Sequence, residues 1–289
     1  MTDREFEQMR RESLEQLGEL RPIDDIFMRE MFRNNIKLTE FILRLITGIS
    51  DLVVTEVHTQ YDLHRLSGSR SLRIDVHGRD SADRRYSMEI ERSDKGASPC
   101  RSRYISSAMD VEFLNAGDEF TDLPVSYVIF ITENDIFEED KLIYQIERIN
   151  VTTGKPFNDG EHIIYLNSSY NQEGDVSELA ELAHDFLCND PDEMYLPLMA
   201  ETAKYYKTNP EGVEHMCKSM EDRINAATAA ATAAATAAAT AATAKAKAIE
   251  FAAKLIAKGK LTLEEIAECS SLPIDEVKLL AENNKPAAT

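Results

Sequence analysis

The chain has 289 residues, of which 43% are hydrophobic and 29% are charged, and its formal net charge at pH 7 is −20. This length and apolar content predict a sizeable core, with one main domain and an appendage. The strong negative charge argues against a non-specific nucleic-acid binder, because such binding depends on Lys and Arg side chains that neutralise phosphates.

The four cysteines are scattered along the chain without the paired spacing of a metal site. The N-terminal segment lacks the apolar region of a signal peptide, and no apolar run approaches the roughly 20 residues that a bilayer span needs. We therefore expect reduced thiols in a cytoplasmic protein that has no membrane partner.

The N-terminal third of the chain is predicted to begin with helices. Residues 1–22 form an N-terminal helical extension, which ends at an Arg-Pro pair. Asp24 or Asp25 can cap the next helix, whose apolar residues recur at helical spacing. Thr39–Thr47 adds an amphipathic helix, for which Gly48 is a natural end. The first core strand is predicted at Leu52–Tyr61.

Two strand-like runs follow, at residues 72–77 and 86–91. In both runs apolar and polar residues alternate with the period of two that is typical of a strand with one buried and one accessible face. Asp75 falls on the polar face of the first run, and Glu89 and Glu91 fall on that of the second. If the chain turns at residues 81–83, Asp75 lies opposite Glu89, because both are seven positions from Ala82.

Two carboxylates in this arrangement can bind one divalent cation. The side-chain carbons of cross-strand neighbours lie roughly 4.5–5.5 Å apart, and oxygen ligands of this kind suit Mg²⁺ or Mn²⁺. Such a metal can activate water and stabilise the charge that develops during phosphodiester hydrolysis. The ordinary alternative is a polar hairpin face that is only solvated.

The segment around this hairpin is the most basic part of the chain. Between Arg65 and Tyr104 the sequence has ten basic residues and six acidic ones. This excess of positive charge is compatible with a phosphate backbone as substrate. A charged hairpin that is only solvated would have the same composition. A helix is predicted at Cys100–Ala116. Arg101 and Arg103 near its start could reach a phosphate, or they could simply be solvated.

Pro124–Thr132 is almost continuously apolar, which is typical of a strand covered on both faces. Leu142–Ile149 and Ile163–Leu166 are further strand candidates, and together they predict a mixed sheet flanked by helices. From residue 176 the pattern is helical, with helices predicted at residues 177–188, 192–206 and 211–223.

The C-terminal part begins with a low-complexity run of Ala and Thr, which we expect to be a helical, poorly anchored spacer. The tail that follows resembles a helix-turn-helix, but its second helix begins with Asp275 and Glu276 and offers only Lys278 as a basic residue. A compact helical or oligomerisation appendage is therefore favoured over a DNA reader. The predicted divisions are residues 23–175 for the core, 176–225 for a helical packing region, 226–248 for the spacer and 249–289 for the tail.

The order of these elements around Asp75 and Glu89 resembles the PD-(D/E)XK nuclease core, in particular its transposase-like, recombination-promoting branch. The resemblance extends to about Met220 and implies an α/β, restriction-endonuclease-like fold with a mixed β-sheet flanked by helices, followed by an all-α C-terminal region. It also implies a metal-dependent DNA endonuclease in which Asp75 and Glu89 bind Mg²⁺ or Mn²⁺. The matching stretches are residues 25–32, the strands of Asp75 and Glu89, residues 92–96 with Arg101, Arg103 and Tyr104, and residues 127–132, 156–160 and 184–186.

The sequence departs from the family pattern at Glu91, where the family has Gln or Lys. A lysine there would orient the attacking water and stabilise negative charge, which a carboxylate cannot do in the same way. Glu91 could be a third metal ligand or a general base, or it could mark a site without chemistry. The alternative function is a catalytically inactive nuclease-fold protein that binds DNA or protein, with assembly through the C-terminal helical region.

Overall fold

The structure is a computed structural model that describes residue 11 and residues 14–63, 72–93, 95–172 and 174–283. The chain divides into two compact units, residues 1–220 and residues 221–289. Most of the predicted N-terminal helical extension lies outside the described residues, and residues 14–19 of it are helical.

The first unit is built on a six-stranded mixed sheet with the strand order β1-β2-β3-β4-β8-β5. Strands β3, β4 and β8 run parallel, whereas β1, β2 and β5 pair antiparallel with their neighbours. A separate two-stranded sheet contains β6 and β7. The strands are β1 Val54–Asp62, β2 Arg73–Asp80, β3 Arg85–Glu91, β4 Ser126–Thr132, β5 Ile143–Ile146, β6 Ile149–Asn150, β7 Lys155–Pro156 and β8 Glu161–Asn167.

The central strand β4 is buried on both faces, which confirms the prediction from its apolar run. Val128 and Phe130 pack on one side of the sheet, and Ile129 and Ile131 pack on the other. The single strand predicted at Leu142–Ile149 is wrong, because β5 ends at Ile146 and the chain then enters the small sheet.

Helices cover the two faces of the sheet unequally. Helices α1 Asp25–Phe32, α2 Ile36–Thr47, α4 Glu178–Leu187 and α5 Pro197–Thr208 pack on one face, together with the start of α6 Pro210–Lys258. Helix α3 Pro99–Phe113 packs on the other face. These layers confirm the predicted α/β class with a mixed sheet flanked by helices.

Local chemistry explains most of the helix ends in this unit. Asn35 caps α2 by accepting a hydrogen bond from the Leu38 amide, and Gly48 ends it with a left-handed φ of 71°. Asp24 precedes α1 but does not cap it with its side chain, which instead accepts a hydrogen bond from the Arg21 amide. Helix α5 begins at Pro197 rather than at the predicted residue 192, because proline suits the first helical turn.

The C-terminal part is helical, as predicted. Helix α6 contains the helix predicted at residues 211–223 and continues through the Ala/Thr run, so only the predicted end of that helix is wrong. Residues 221–247 are exposed. Each threonine hydroxyl of the run donates to the carbonyl four residues earlier.

The second unit has a small core of its own. Helices α7 Leu263–Ser270 and α8 Ile274–Asn283 pack with the end of α6 around Ala252, Ile266 and Val277. A reciprocal capping box between Thr262 and Glu265 begins α7.

Two predictions of composition can be compared with the structure. All four cysteines, Cys100, Cys188, Cys217 and Cys269, lie in the described part of the chain and are free. Within the described residues, no helix combines the length and the apolar composition that crossing a membrane requires.

Candidate active site at the open end of the β2–β3 hairpin

Strands β2 and β3 form the predicted hairpin. Their pairing runs from Arg79↔Arg85 to Val76↔Met88, and Asp83 in the turn has a left-handed φ of 63°. The predicted turn at residues 81–83 is therefore confirmed, and the register brings Asp75 and Glu89 to the open end of the hairpin.

Regular pairing stops at the carboxylates. The Ile90 amide donates to Asp75 Oδ2 at 3.1 Å, and the Asp75 amide lies 3.4 Å from Glu89 Oε1. Side-chain oxygens thus take the place of backbone acceptors at this end of the ladder. The predicted alternation along β2 is wrong at the same point, because Ile74 and Val76 pack on opposite faces of the sheet.

The polar face of the hairpin is covered rather than accessible. The exposed fraction of Glu89 is 0%, because α3 packs on that face. Its Oε1 accepts a hydrogen bond from Ser87 Oγ at 3.1 Å, and its Oε2 accepts one from Arg101 Nη2 at 2.7 Å. The expectation of a solvent-facing glutamate was wrong, since the sequence did not show which helix would cover this face.

Arg101 joins the two glutamates. Its Nη1 forms an ion pair with Glu91 and donates to the Gly96 carbonyl at 2.9 Å. A side chain at position 96 would collide with the Glu91 carboxylate where it now lies, so glycine leaves the room in which Glu91 pairs with Arg101. Glu91, which stands where the family pattern has Gln or Lys, therefore holds the Arg101 guanidinium beside Glu89.

The electrostatics of the site are unfavourable for two ionised carboxylates. Burial, followed by the charge of Asp75, raises the pKa of Glu89 from 4.5 to about 8. Burial also raises the pKa of Asp75, and the negative charge of Asp25 adds to this effect. Arg101 acts in the opposite direction on both carboxyl groups.

Two residues near the site were missed by sequence reasoning. Asp25 at the start of α1 is close enough to influence Asp75, and it forms an ion pair with Arg29 at 2.8 Å. Its place at the beginning of a family-like stretch was a usable signal, but the residue was interpreted only as a helix cap. Gln60 of β1 donates from Nε2 to Asp75 Oδ1 at 3.1 Å, and nothing in its sequence context pointed to this contact.

Arg103 does not join the site. It lies two residues after Arg101, about 200° around the helix, and its side chain is exposed. The structure thus separates the two arginines that the sequence grouped together.

Most of the basic residues near the hairpin are neutralised. Arg65 and Arg70 lie outside the described residues. Lys95 and Arg103 form no ion pair with any residue that the structure describes. The other six all have acidic partners: Arg73 with Asp62, Arg79 with Asp83 and Glu56, Arg84 with Asp80, Arg85 with Asp83, Arg92 with Asp24 and Glu133, and Arg101 with Glu89 and Glu91.

The donor set at the carboxylates fits a small hard cation. No group of three His, Cys, Asp or Glu residues among the described residues could hold a metal ion. Mg²⁺ needs fewer protein ligands than this, because it keeps several waters and often uses only one or two carboxylates. Asp75 and Glu89 supply such a pair, and a cation would relieve the repulsion between them.

A family model for PD-(D/E)XK nuclease family transposases matches residues 25–184, which is more than half of the chain. The match spans the whole of the candidate site, from Asp25 and Gln60 to Arg101. No curated protein and no solved structure gives a significant match.

Proposed function

Since the chain belongs to the PD-(D/E)XK nuclease family transposases, which suggests a nuclease-like role in recombination or mobile elements, we propose that it is a metal-dependent DNA endonuclease. The observation that carries this proposal is the contact between Asp75 and the buried Glu89 at one end of the hairpin. Buried, mutually repelling carboxylates are typical of functional sites.

In the proposed site, Asp75 and Glu89 hold Mg²⁺ or Mn²⁺. The bound cation would supply activation of water and stabilisation of the charge that develops on the phosphodiester. Glu89 must be ionised to act as a ligand. The nearby guanidinium of Arg101 favours that form, because it lowers the pKa that burial raises.

Arg101 is proposed to contact the phosphate of the DNA substrate. Its side chain is 31% exposed, and a guanidinium matches the oxygens of a phosphate well. Glu91 then acts as a positioning residue, because its ion pair keeps Arg101 beside Glu89. This arrangement provides positive charge beside position 91, where the family pattern has Gln or Lys, and the ion pair of Glu91 with Arg101 argues against its role as a free base.

One observation favours a second candidate function. Arg101 already forms ion pairs with both Glu89 and Glu91, and the net charge of the chain is −20. A protein with this arrangement could retain the fold without turnover and bind DNA or protein as a regulatory module. Self-association through the C-terminal helical region would fit this alternative.

A cleavage assay separates the two functions. Purified full-length protein is incubated with supercoiled and linear DNA in Mg²⁺, Mn²⁺ or EDTA, alongside Asp75→Ala and Glu91→Gln. Glu56→Gln is the matched control, because Glu56 is an exposed carboxylate on the same sheet that pairs with Arg79. Cutting that needs metal, disappears in Asp75→Ala and persists in Glu56→Gln supports the nuclease.

The same assay identifies a site in which one residue blocks catalysis. If the parent does not cleave DNA and Glu91→Gln does, the ion pair of Glu91 suppresses catalysis in an otherwise complete site. If no folded variant cleaves DNA with any metal, the result contradicts the nuclease and favours the binding module.

A further inference from the structure

Gln60 has an unusual backbone conformation for a strand residue. Its φ is 56°, in the left-handed region, although it lies inside β1. The other described non-glycine residues with positive φ lie in loops, turns or at helix ends. Such a conformation persists only where the surroundings impose it, and it is concentrated at functional sites.

The backbone change at Gln60 moves β1 from one core to the other. Val57 packs in the core under α1 and α2, whereas Tyr61 packs under α3. In a regular strand these two side chains would lie on the same face, because they are separated by an even number of residues. The inversion at Gln60 accounts for the switch.

Strand β2 switches faces at the opposite position. The pairing of the two strands passes from Thr59↔Val76 to Tyr61↔Ile74, with no pair between Gln60 and Asp75 in this described ladder. Side chains meet there instead, since Gln60 Nε2 donates to Asp75 Oδ1 at 3.1 Å. The other oxygen of Asp75 is held by the Ile90 amide.

The side-chain contact at position 60 explains the presence of glutamine there, whereas the backbone conformation alone would favour glycine. Glycine would adopt a φ of 56° without strain, but it has no amide to donate. A lysine or arginine would donate but would also cancel the charge of Asp75 and compete with a cation. Glutamine supplies a neutral donor, which orients the carboxylate and leaves its negative charge available.

We infer that Gln60 is a positioning residue that fixes the Asp75 carboxylate in the orientation needed to hold a divalent cation. The inference rests on the proposed function, because the cation is the reason why the orientation matters. The contact itself can be tested without any activity.

The test compares Gln60→Gly and Gln60→Met with the parent in the full-length chain. Gln60→Gly removes both the donor and the backbone strain, and Gln60→Met removes the donor but keeps a side chain of similar length. Asn158→Gly is the matched control, because Asn158 also has a left-handed φ, of 55°, and lies in an exposed loop. The readouts are the Kd for Mn²⁺ measured by calorimetry without DNA, the Tm, and the rate of DNA cleavage in Mg²⁺.

We expect Gln60→Gly and Gln60→Met to bind Mn²⁺ about tenfold more weakly than the parent, because the Asp75 carboxylate loses its neutral donor, with no change in Asn158→Gly. The Tm of Gln60→Gly should not fall below that of Gln60→Met, since the strain is removed. Cleavage should decrease about tenfold at low Mg²⁺ concentration. Mn²⁺ affinity equal to that of the parent in both Gln60 variants would overturn the inference.

The two proposals fail in different ways. A parent that binds Mn²⁺ but does not cleave DNA contradicts the proposed function, while the Mn²⁺ affinities still decide whether Gln60 positions Asp75. A parent that cleaves, together with Gln60 variants whose Mn²⁺ affinity and cleavage match it, rejects the positioning role and leaves the nuclease intact.

Discussion

The two ends of the β2–β3 hairpin contain aspartates with opposite properties, the buried Asp80 and the half-buried Asp75. At the turn, Asp80 accepts hydrogen bonds from two backbone amides, from Arg84 and from Tyr86. Burial acts to raise its pKa, but the hydrogen bonds from Arg84 and Tyr86 prevail and lower it. At the open end, burial prevails and raises the pKa of Asp75.

The difference arises from how positive charge is distributed. Arg84 has Asp80 as its carboxylate partner, whereas Arg101 is shared between Glu89 and Glu91. The open end gathers more negative charge than its arginine neutralises, which favours binding of an added cation. One end of the hairpin therefore stabilises the fold, and the other, which contains the proposed site, holds repelling carboxylates at some cost in stability.

Asp75→Asn should produce the largest effect on activity. The substitution keeps the shape of the side chain but removes a proposed metal ligand, so metal-dependent cleavage should fall by about a thousandfold or more. The Tm without metal should stay the same or rise, because the repulsion between a half-buried carboxylate and Glu89 is removed. A variant that cleaves within tenfold of the parent would exclude Asp75 from the chemistry.

Asp80→Asn should produce the largest loss of stability. It leaves Arg84 without its carboxylate and weakens the turn, which should cost about 2–3 kcal/mol in the free energy of unfolding by urea. Cleavage per folded molecule should match that of the parent. If Asp80→Asn instead abolished activity in the folded state, the assignment of separate roles to the two ends would be wrong.

Glu89→Gln tests the pH dependence of the open end. Because the folded-state pKa of Glu89 is raised from 4.5 to about 8, its contribution to stability is present at low pH and is lost as pH rises through that window. Above pH 8 the metal-free variant should be more stable than the parent, by about 2–4 °C in Tm. Mg²⁺ should raise the Tm of the parent at this pH more than that of Glu89→Gln, and equal responses would argue against Glu89 as a ligand.

Arg103→Ala should produce the smallest effect, on DNA affinity. Arg103 has no ion pair within the described part of the chain, so it is available to a phosphate. Arg79 near the turn is an exposed control that pairs with Asp83 and Glu56. Arg103→Ala should weaken binding a few-fold and lower the slope of log affinity against log salt by about one. An equal loss of DNA affinity in Arg79→Ala would show that DNA binds both ends of the β2–β3 hairpin alike.

Much of the fold was accessible from local patterns. Period-two alternation located β2 and β3, and the turn between them set the register that brings Asp75 and Glu89 to one end. The apolar run of β4 predicted a strand buried on both faces. These features depend on neighbouring residues, so a single sequence contains the necessary information.

The site was accessible only in part. Glu91 was recognised as a departure, but its partner was not, because the Arg101 side chain reaches it from a different element. The ten basic residues suggested a positive surface, and the structure pairs six of them with carboxylates. Charge counts along a sequence cannot show which charges neutralise each other in space.

The sequence by itself determined strands β1 to β4 and β8, the hairpin register, the helical C-terminal region and the proximity of two carboxylates, because hydrophobic periodicity and turn chemistry act over short distances. Only the tertiary structure decided that α3 covers Glu89, that Arg101 joins Glu89 to Glu91, and that β1 and β2 change faces at Gln60 and Asp75. These arrangements come from packing between distant segments, where burial and charge compensation outweigh the local preference of each strand.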